Sequence, residues 1–470
     1  MNYLLKKKKS ALLLLFLGFA FQLFIALTLF SKDLHLGLSF CINALFIFII
    51  IFKNINTKDN SIALNSICIF ILLFFIVAPV IQISSYIEGS KMVNNLPYNS
   101  TTAFLANLQI SLFIIIFFLS YFYIKTKPKT IVPADYSGKL NITLLISTVL
   151  IGIIFAKFII NNLFKIDDNS ESIIASLILR KSLFMIPVAA FSIYLYRKNK
   201  VTLILMLIVL IILFLKNPIS ERRNAIGPLY LALTFFYFKF LYKTNFTSFI
   251  YIFIIFFFFF PLSGLLTNSY SPVLERIDNL SNYFSMGLGN NYFKNYFTTL
   301  HYDAWSNICA TIEYVHHKDL TMGYQLLGSL LFFIPRFMWP SKPIGSGHFI
   351  AEEFLMPNYS LWLSNISCPI ISEGYLNFGV IGIVLFAFLL AVFVKNINSW
   401  LNSEDVLFKI FGIYASFWLF YLMRGDLMSS WAYLFGAFIG IIIIPKFINK
   451  IINNSSLNLK LLWGHRPVIH

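Results

Sequence analysis

Apolar runs of about 16 to 22 residues recur along the chain with almost no charge inside them, and this recurrence constrains the fold more than any other feature. A helix needs roughly 20 residues to cross the hydrocarbon core of a bilayer. Twelve runs are read as spans: Ala11 to Phe30, Leu36 to Phe52, Ile62 to Ile81, Ala103 to Ile124, Leu140 to Ile160, Ser182 to Tyr196, Val201 to Leu215, Ala225 to Tyr242, Phe246 to Leu266, Pro369 to Val394, Val406 to Met423 and Leu427 to Phe447. The bilayer interior offers no water to exposed amides, so these segments are helices; membrane strands would alternate instead of running unbroken. The expected fold class is an all-α integral membrane protein of about 12 transmembrane helices. With 59% hydrophobic and 12% charged residues, water is not the chain's main solvent.

Charge orients the bundle, because Lys and Arg stay on the cytoplasmic side far more often than they cross. Lys6, Lys7, Lys8 and Lys9 hold the N-terminus inside. Twelve spans then put inside the loops with Lys53 and Lys58; Lys125, Lys127 and Lys129; Arg197, Lys198 and Lys200; and Lys239 and Lys243, as well as the C-terminal tail with Lys446, Lys450 and Lys460. Both termini are therefore cytoplasmic. The net charge of +17 reports orientation and contact with anionic head groups, not nucleic-acid binding. The first run lacks a small-residue cleavage site and is read as a span, not a signal peptide. Of the four cysteines, only Cys309 and Cys368 lie where an oxidising compartment could join them.

On this reading residues 1–470 form one polytopic membrane domain: nine spans in 1–265, a large extracytoplasmic loop in 266–368, and three spans with a cytoplasmic tail in 369–470. The loop is long enough to need an explanation. Phe293, Phe297, Leu300, Ala304, Ile308, Ile312 and Val315 recur in it at helical spacing, which predicts an amphipathic helix on the bundle's outer face. A second apolar piece, Gln325 to Ile334, stops at Pro335 and is too short to cross, so a re-entrant or interfacial helix is expected.

Four polar features stand out against this apolar background. In the first, Pro335, Pro340 and Pro343 stiffen a loop that carries Arg336, Trp339 and Lys342; it reads as an anion clamp or, more plainly, as a loop with Trp339 in the head-group belt. Arg222 and Arg223 open the eighth span, where a helix N-terminus adds positive potential suited to phosphate, although snorkelling to head groups explains them equally. A short turn, Arg424-Gly425-Asp426, joins two spans, and its two charges can neutralise one another. Finally, Glu373, Tyr375 and Asn377 enter the tenth span within Ser372-Glu373-Gly374-Tyr375-Leu376-Asn377-Phe378-Gly379; a carboxylate there is costly unless it pairs with a neighbouring arginine. No HExxH, CxxC, Walker or GxSxG motif occurs, and His301, His316, His317 and His348 lack metal-ligand spacing, so neither metal nor cofactor is expected.

Taken together, the Pro335–Pro343 loop, the Glu373–Gly379 entry and the turn at Arg424 resemble the O-antigen and capsule repeat-unit polymerases of bacterial envelopes. The resemblance extends to the order of spans and to the large loop in the second half; the pair Arg222 and Arg223 departs from it in lacking a preceding glycine. It implies a metal-independent glycosyltransferase with a helical, GT-C-like bundle in the bacterial inner membrane. Such an enzyme joins undecaprenyl-pyrophosphate-linked oligosaccharides on the extracytoplasmic side, sometimes beside a chain-length regulator protein.

The chemistry suits the residues. Breaking a bond from sugar C1 to pyrophosphate releases a polyanion, and planar, permanently charged guanidinium groups bind phosphate oxygens in pairs. Arg222, Arg223, Arg336 and Arg424 are the candidates for that clamp. Trp339, Tyr375, Asp303 and Glu373 are candidate sugar contacts, with Lys342 and Asn377 beside them, and Asp303, His348, Glu373 or Asp426 can serve as base to the acceptor hydroxyl. The rivals are an O-antigen ligase-type glycan transferase, which needs the same clamp, a flippase or transporter of lipid-linked oligosaccharides, and a purely structural envelope protein.

Overall fold

A computed structural model describes residues 2–57, 61–124, 223–261 and 292–463, together with positions 136, 140, 143, 144, 146, 182 and 185–193. Apart from an isolated bridge between Lys91 and Pro97, the described residues contain no strand. The helices are α1 (Asn2–Leu29), α2 (Leu34–Asn56), α3 (Ile62–Ser85), α4 (Ser100–Tyr123), α5 (Arg223–Tyr237), α6 (Asn245–Phe259), α7 (Tyr292–Phe297), α8 (Ala304–His317), α9 (Tyr324–Leu330), α10 (Ser346–Ile350), α11 (Ile370–Leu401), α12 (Val406–Arg424) and α13 (Leu427–Asn453).

Six of these, α2, α3, α4, α11, α12 and α13, are long and apolar enough to cross a membrane, and Leu13–Leu29, Gly227–Tyr237 and Asn245–Phe259 form shorter apolar helices. The protein is an α-helical membrane protein. Most of Leu140–Ile160, part of Ser182–Tyr196 and all of Val201–Leu215 lie outside the described residues, as do 262–291 of the large loop.

Two helices form the centre: 94% of the apolar window of α3 and 83% of that of α12 are buried. About half of the window of α2, α4, α11 and α13 is not buried, and its exposed residues are apolar, including Leu38, Leu45 and Ile49 on α2 and Leu385, Phe388 and Leu389 on α11. A face of that composition belongs against lipid tails.

Side-chain caps mark where the helices begin: Asp33 accepts from the Leu36 N–H, Ser61 from Leu64, Asn99 from Thr101, and Asp405 from Leu407. Inside the bundle, amides tie helices together. Asn65 accepts from Asn54 (2.8 Å) and donates to the Asn245 carbonyl and to Ser248, while Asn245 returns a bond to the Asn54 carbonyl. These bonds join α2, α3 and α6.

A second network alters the expected position of α8. Instead of lying on the outer face, its residues Ala304–Ile312 are buried. Trp305 donates its indole N–H to Asn107 of α4 (3.1 Å), Asn107 donates to Ser39 of α2 (2.8 Å), and Asn43 donates to the Asn107 carbonyl. The single helix expected over Phe293–Val315 is broken: α7 ends at Phe297, a 3-10 turn at Leu300–Tyr302 intervenes and α8 begins at Ala304, so only Ala304, Ile308 and Ile312 of the stripe form a buried row on one helix. What the stripe could not reveal is that Ser306, Asn307 and Thr311, on the other faces, also have partners inside.

The largest departure from regularity is in α11. Phe378 (φ −140°) and Gly379 (φ +59°) are not helical, so α11 consists of two arms, 370–377 and 380–401. The arms fold together where Gly374 meets Gly382: a Cβ on Gly374 would lie 2.6 Å from the Gly382 carbonyl oxygen, and one on Gly382 would collide with the Gly374 carbonyl. In an unbroken helix these residues would be about 12 Å apart along the axis. Thr321 donates its N–H (3.0 Å) and hydroxyl (3.2 Å) to the Leu376 carbonyl exposed by the break. The crossing arm is thus 380–401, about 33 Å long, and the expected span from Pro369 begins with a separate short arm.

Replacing Gly382 with Ala is expected to destabilise the protein by about 1–3 kcal/mol or more, because backbone, not a flexible side chain, fills the space. Gly227→Ala, where a Cβ meets nothing within 4 Å, serves as control. Thermal unfolding in detergent should separate the two; equal midpoints would show that the arms do not touch.

Candidate functional site

The α11 crossing brings the N-terminal ends of α8, α11 and α13 to one place, next to the C-terminal end of α12. Asp303 is the N-cap residue of α8, Pro369 that of α11 and Asp426 that of α13, while Arg424 closes α12. Helix N-termini carry partial positive charge, which favours carboxylates and other anions there.

Asp303, 2% exposed, accepts from Arg424 Nη2 (2.9 Å) and from the Ser367 hydroxyl (2.8 Å) through the same oxygen. Asn307 in turn donates to the Ser367 carbonyl and hydroxyl, both at 2.9 Å, which fixes the segment entering α11. Arg424 Nη2 also donates to the Leu300 carbonyl (2.8 Å). Its Nε is buried without a hydrogen-bond partner among the described residues, and the side chain remains 28% exposed. One nitrogen thus holds the guanidinium in place, and most of its fork is uncommitted among the described residues. The Arg424–Asp426 neutralisation read from the sequence does not form; the partner is Asp303.

Among the described residues Glu373 pairs with no arginine. It is buried, and it accepts the Leu427 N–H (2.8 Å) on one oxygen and the Ser346 hydroxyl (2.8 Å) on the other. It therefore pins the start of α13 and of α10 to the short arm of α11. Asp426 accepts the N–H (2.9 Å) and hydroxyl of Ser429, is only partly buried, and packs against Gly345, where a Cβ would come within 3.1 Å of its carboxyl carbon. Asn377, fully buried, accepts from the Leu326 N–H and the Thr321 hydroxyl and donates to the Glu373 carbonyl (2.8 Å), holding α9 to the same arm. Tyr375 is partly buried on that arm.

The proline-rich loop is rigid for a different reason than an anion clamp needs. Lys342 is 4% exposed and its ammonium donates to the Phe332 (2.7 Å) and Ile334 (2.9 Å) carbonyls, while Arg336 donates to the Lys342 carbonyl (2.8 Å). Burial, and then the charge of Arg336, push the Lys342 ammonium below the usual lysine range. Lys342 therefore serves the loop's own backbone. The loop docks beside the site, because Phe332 packs with Met428 and Ala432 of α13 and Gly328 abuts Pro343 and Met428. Trp339 donates to Ser341 (3.1 Å) and meets Tyr324 edge-on.

His348 pairs with Glu352 (2.8 Å). Arg222 and the side chain of Arg223 lie outside the described residues. Cys309 and Cys368 are both buried, free thiols, raised by that burial above the usual thiol range.

Sequence reasoning missed Ser346 and Ser367, which carry no motif and become visible only through the carboxylates they contact. It also dismissed His316 and His317 as lacking metal-ligand spacing, whereas their ligand atoms and that of Glu313 lie within 4.8 Å of one another at the far end of α8. The signal was present as an i, i+3, i+4 spacing on a helix.

Compared with known proteins, the chain matches no family model, no curated protein and no solved structure.

Removing the Lys342 ammonium strands two carbonyls, each worth about 1–3 kcal/mol when buried. Lys342→Met should therefore lower the unfolding midpoint clearly more than Arg336→Ala, which frees one partly buried carbonyl. The reverse order would show that Lys342 projects outward after all.

Proposed function

We propose that this chain is a metal-independent glycosyltransferase that joins undecaprenyl-pyrophosphate-linked oligosaccharide repeat units into O-antigen or capsular polysaccharide. In this reading it has about 12 spans in a GT-C-like bundle, both termini are cytoplasmic, and the site faces the extracytoplasmic side of the inner membrane. The observation that carries the reading is the fork of Arg424, largely uncommitted among the described residues, paired with Asp303 at the junction of three helix N-termini that also carries Glu373 and Asp426.

The two kinds of charge match the two ends of the reacting bond. As C1 separates from the pyrophosphate oxygen, negative charge builds on the leaving group and positive charge on the sugar ring. Arg424 takes the leaving group, assisted by Arg222 and Arg223 and, at the loop, by Arg336. The carboxylates stand on the sugar side. The acceptor hydroxyl forms the new C1–O bond, the electron pair of the broken bond leaves with the lipid pyrophosphate, and the acceptor's proton passes to Asp426, the most accessible of the three carboxylates. Glu373 and Asn377 act as positioning residues, and Trp339 and Tyr375 offer sugar-stacking faces. A chain-length regulator is the partner this reaction calls for.

Arg424→Ala should lower polymerisation of lipid-linked repeat units by about 100-fold or more, as expected for loss of a donor to a developing anion, with Arg424→Lys recovering part of it. The readout is the glycan ladder made by purified protein from lipid-linked oligosaccharide, with protein level and monodispersity checked. Full activity in Arg424→Ala would overturn the site. Long lipid-linked chains that accumulate unattached in a deletion strain would point to a ligase instead.

A further inference from the structure

Helix α8 carries chemistry at both ends. At its N-terminal end Asp303 belongs to the site described above; at its C-terminal end, ten residues and about 15 Å along the axis, stand Glu313, His316 and His317. Residues three and four apart share a helix face, so Glu313 meets both imidazoles although adjacent histidines on a helix normally diverge. His317 Nε2 lies 3.8 Å from Glu313 Oε2, and the two imidazoles stand edge to face with centroids 5.2 Å apart.

The carboxylate is oriented from outside the helix. Thr102 of α4 donates its hydroxyl to Glu313 Oε1, which leaves Oε2 turned toward His317. Second-sphere bonds of this kind hold a ligating carboxylate in position. The surroundings favour a cation: the last turn of a helix carries partial negative charge, and the carboxylates of Glu353 and Asp319 act on the neighbouring Tyr314. In a chain of net charge +17 this is a locally acidic corner.

We infer that Glu313, His316 and His317 form a binding site for a divalent transition metal ion of the zinc class. Two imidazoles and one carboxylate suit a borderline ion such as Zn²⁺, Ni²⁺ or Cu²⁺, not Mg²⁺ or Ca²⁺, which prefer oxygen alone. Ligand atoms of a tetrahedral site with bonds of about 2.1 Å stand roughly 3.4 Å apart, so closure asks only for rotamer adjustment of two exposed histidines. Three protein ligands leave the remaining positions to water or to a group from another molecule. The site is too far from Arg424 and Asp303 to take part in chemistry there, and the inference does not depend on the glycosyl-transfer reading.

The test is Zn²⁺ titration of chelator-treated full-length protein in detergent, in competition with a chromophoric chelator. One ion per chain is expected. Glu313→Gln, His316→Ala and His317→Ala should each weaken binding by about tenfold or more, and Thr102→Val, which leaves every ligand in place, should weaken it by about tenfold. His35→Ala, at the start of α2, should bind as the parent protein does. Undiminished binding in all three ligand variants, or an equal loss in His35→Ala, would overturn the site, and size-exclusion profiles exclude misfolding as the cause.

Discussion

Each polar group enclosed by this bundle has to find its partner inside the protein, because neither lipid nor an apolar core can supply one. The architecture follows from that constraint. Asn65 and Asn245 bind α2, α3 and α6 together; Asn107 holds α8 against α2 and α4; Thr321 satisfies the Leu376 carbonyl released where α11 breaks, and Asn377 accepts the Leu326 N–H of α9. In each case an amide or hydroxyl that would be expensive alone becomes a fastening once its partners arrive from other helices.

The break in α11 is what turns a bundle into a bundle with a site. Were α11 continuous through Gly379, its first two turns would run straight on, and Glu373 could not reach Leu427 and Ser346. Folding the short arm back at Gly374 and Gly382 places that carboxylate among the beginnings of α10 and α13. Asp426 then stands near it, and Asp303 and Arg424 pair with each other, all three as helix ends and not as members of a loop. Rigid helix ends hold charged groups more closely than flexible loops can, and a reacting bond requires that kind of preorganisation.

Two of the basic features read from the sequence are held in different ways. Arg424 is fastened through one nitrogen and keeps the rest of its fork uncommitted among the described residues, whereas Lys342 spends its charge on the carbonyls of its own loop. Both are basic residues in a short segment beside prolines or glycines, so nothing local separates them. The difference is which backbone carbonyls lie within reach.

What the sequence determined by itself was the solvent and the element type: runs of apolar residues near the thickness of a bilayer can only be helices in lipid, and that follows from length and composition alone. It also singled out Glu373, Arg424 and Asp426, because charged residues at the margins of such runs are few, and named Asp303 within the large loop as a candidate sugar contact. Only the tertiary structure decided how these four are paired, that α8 is buried instead of superficial, that Ser346 and Ser367 serve the same carboxylates, and that Glu313 sits with two histidines. Pairing depends on distances between segments remote in sequence, such as Leu300 and Arg424, 124 residues apart, or Thr102 and Glu313, 211 apart, and no periodicity within one segment carries that information.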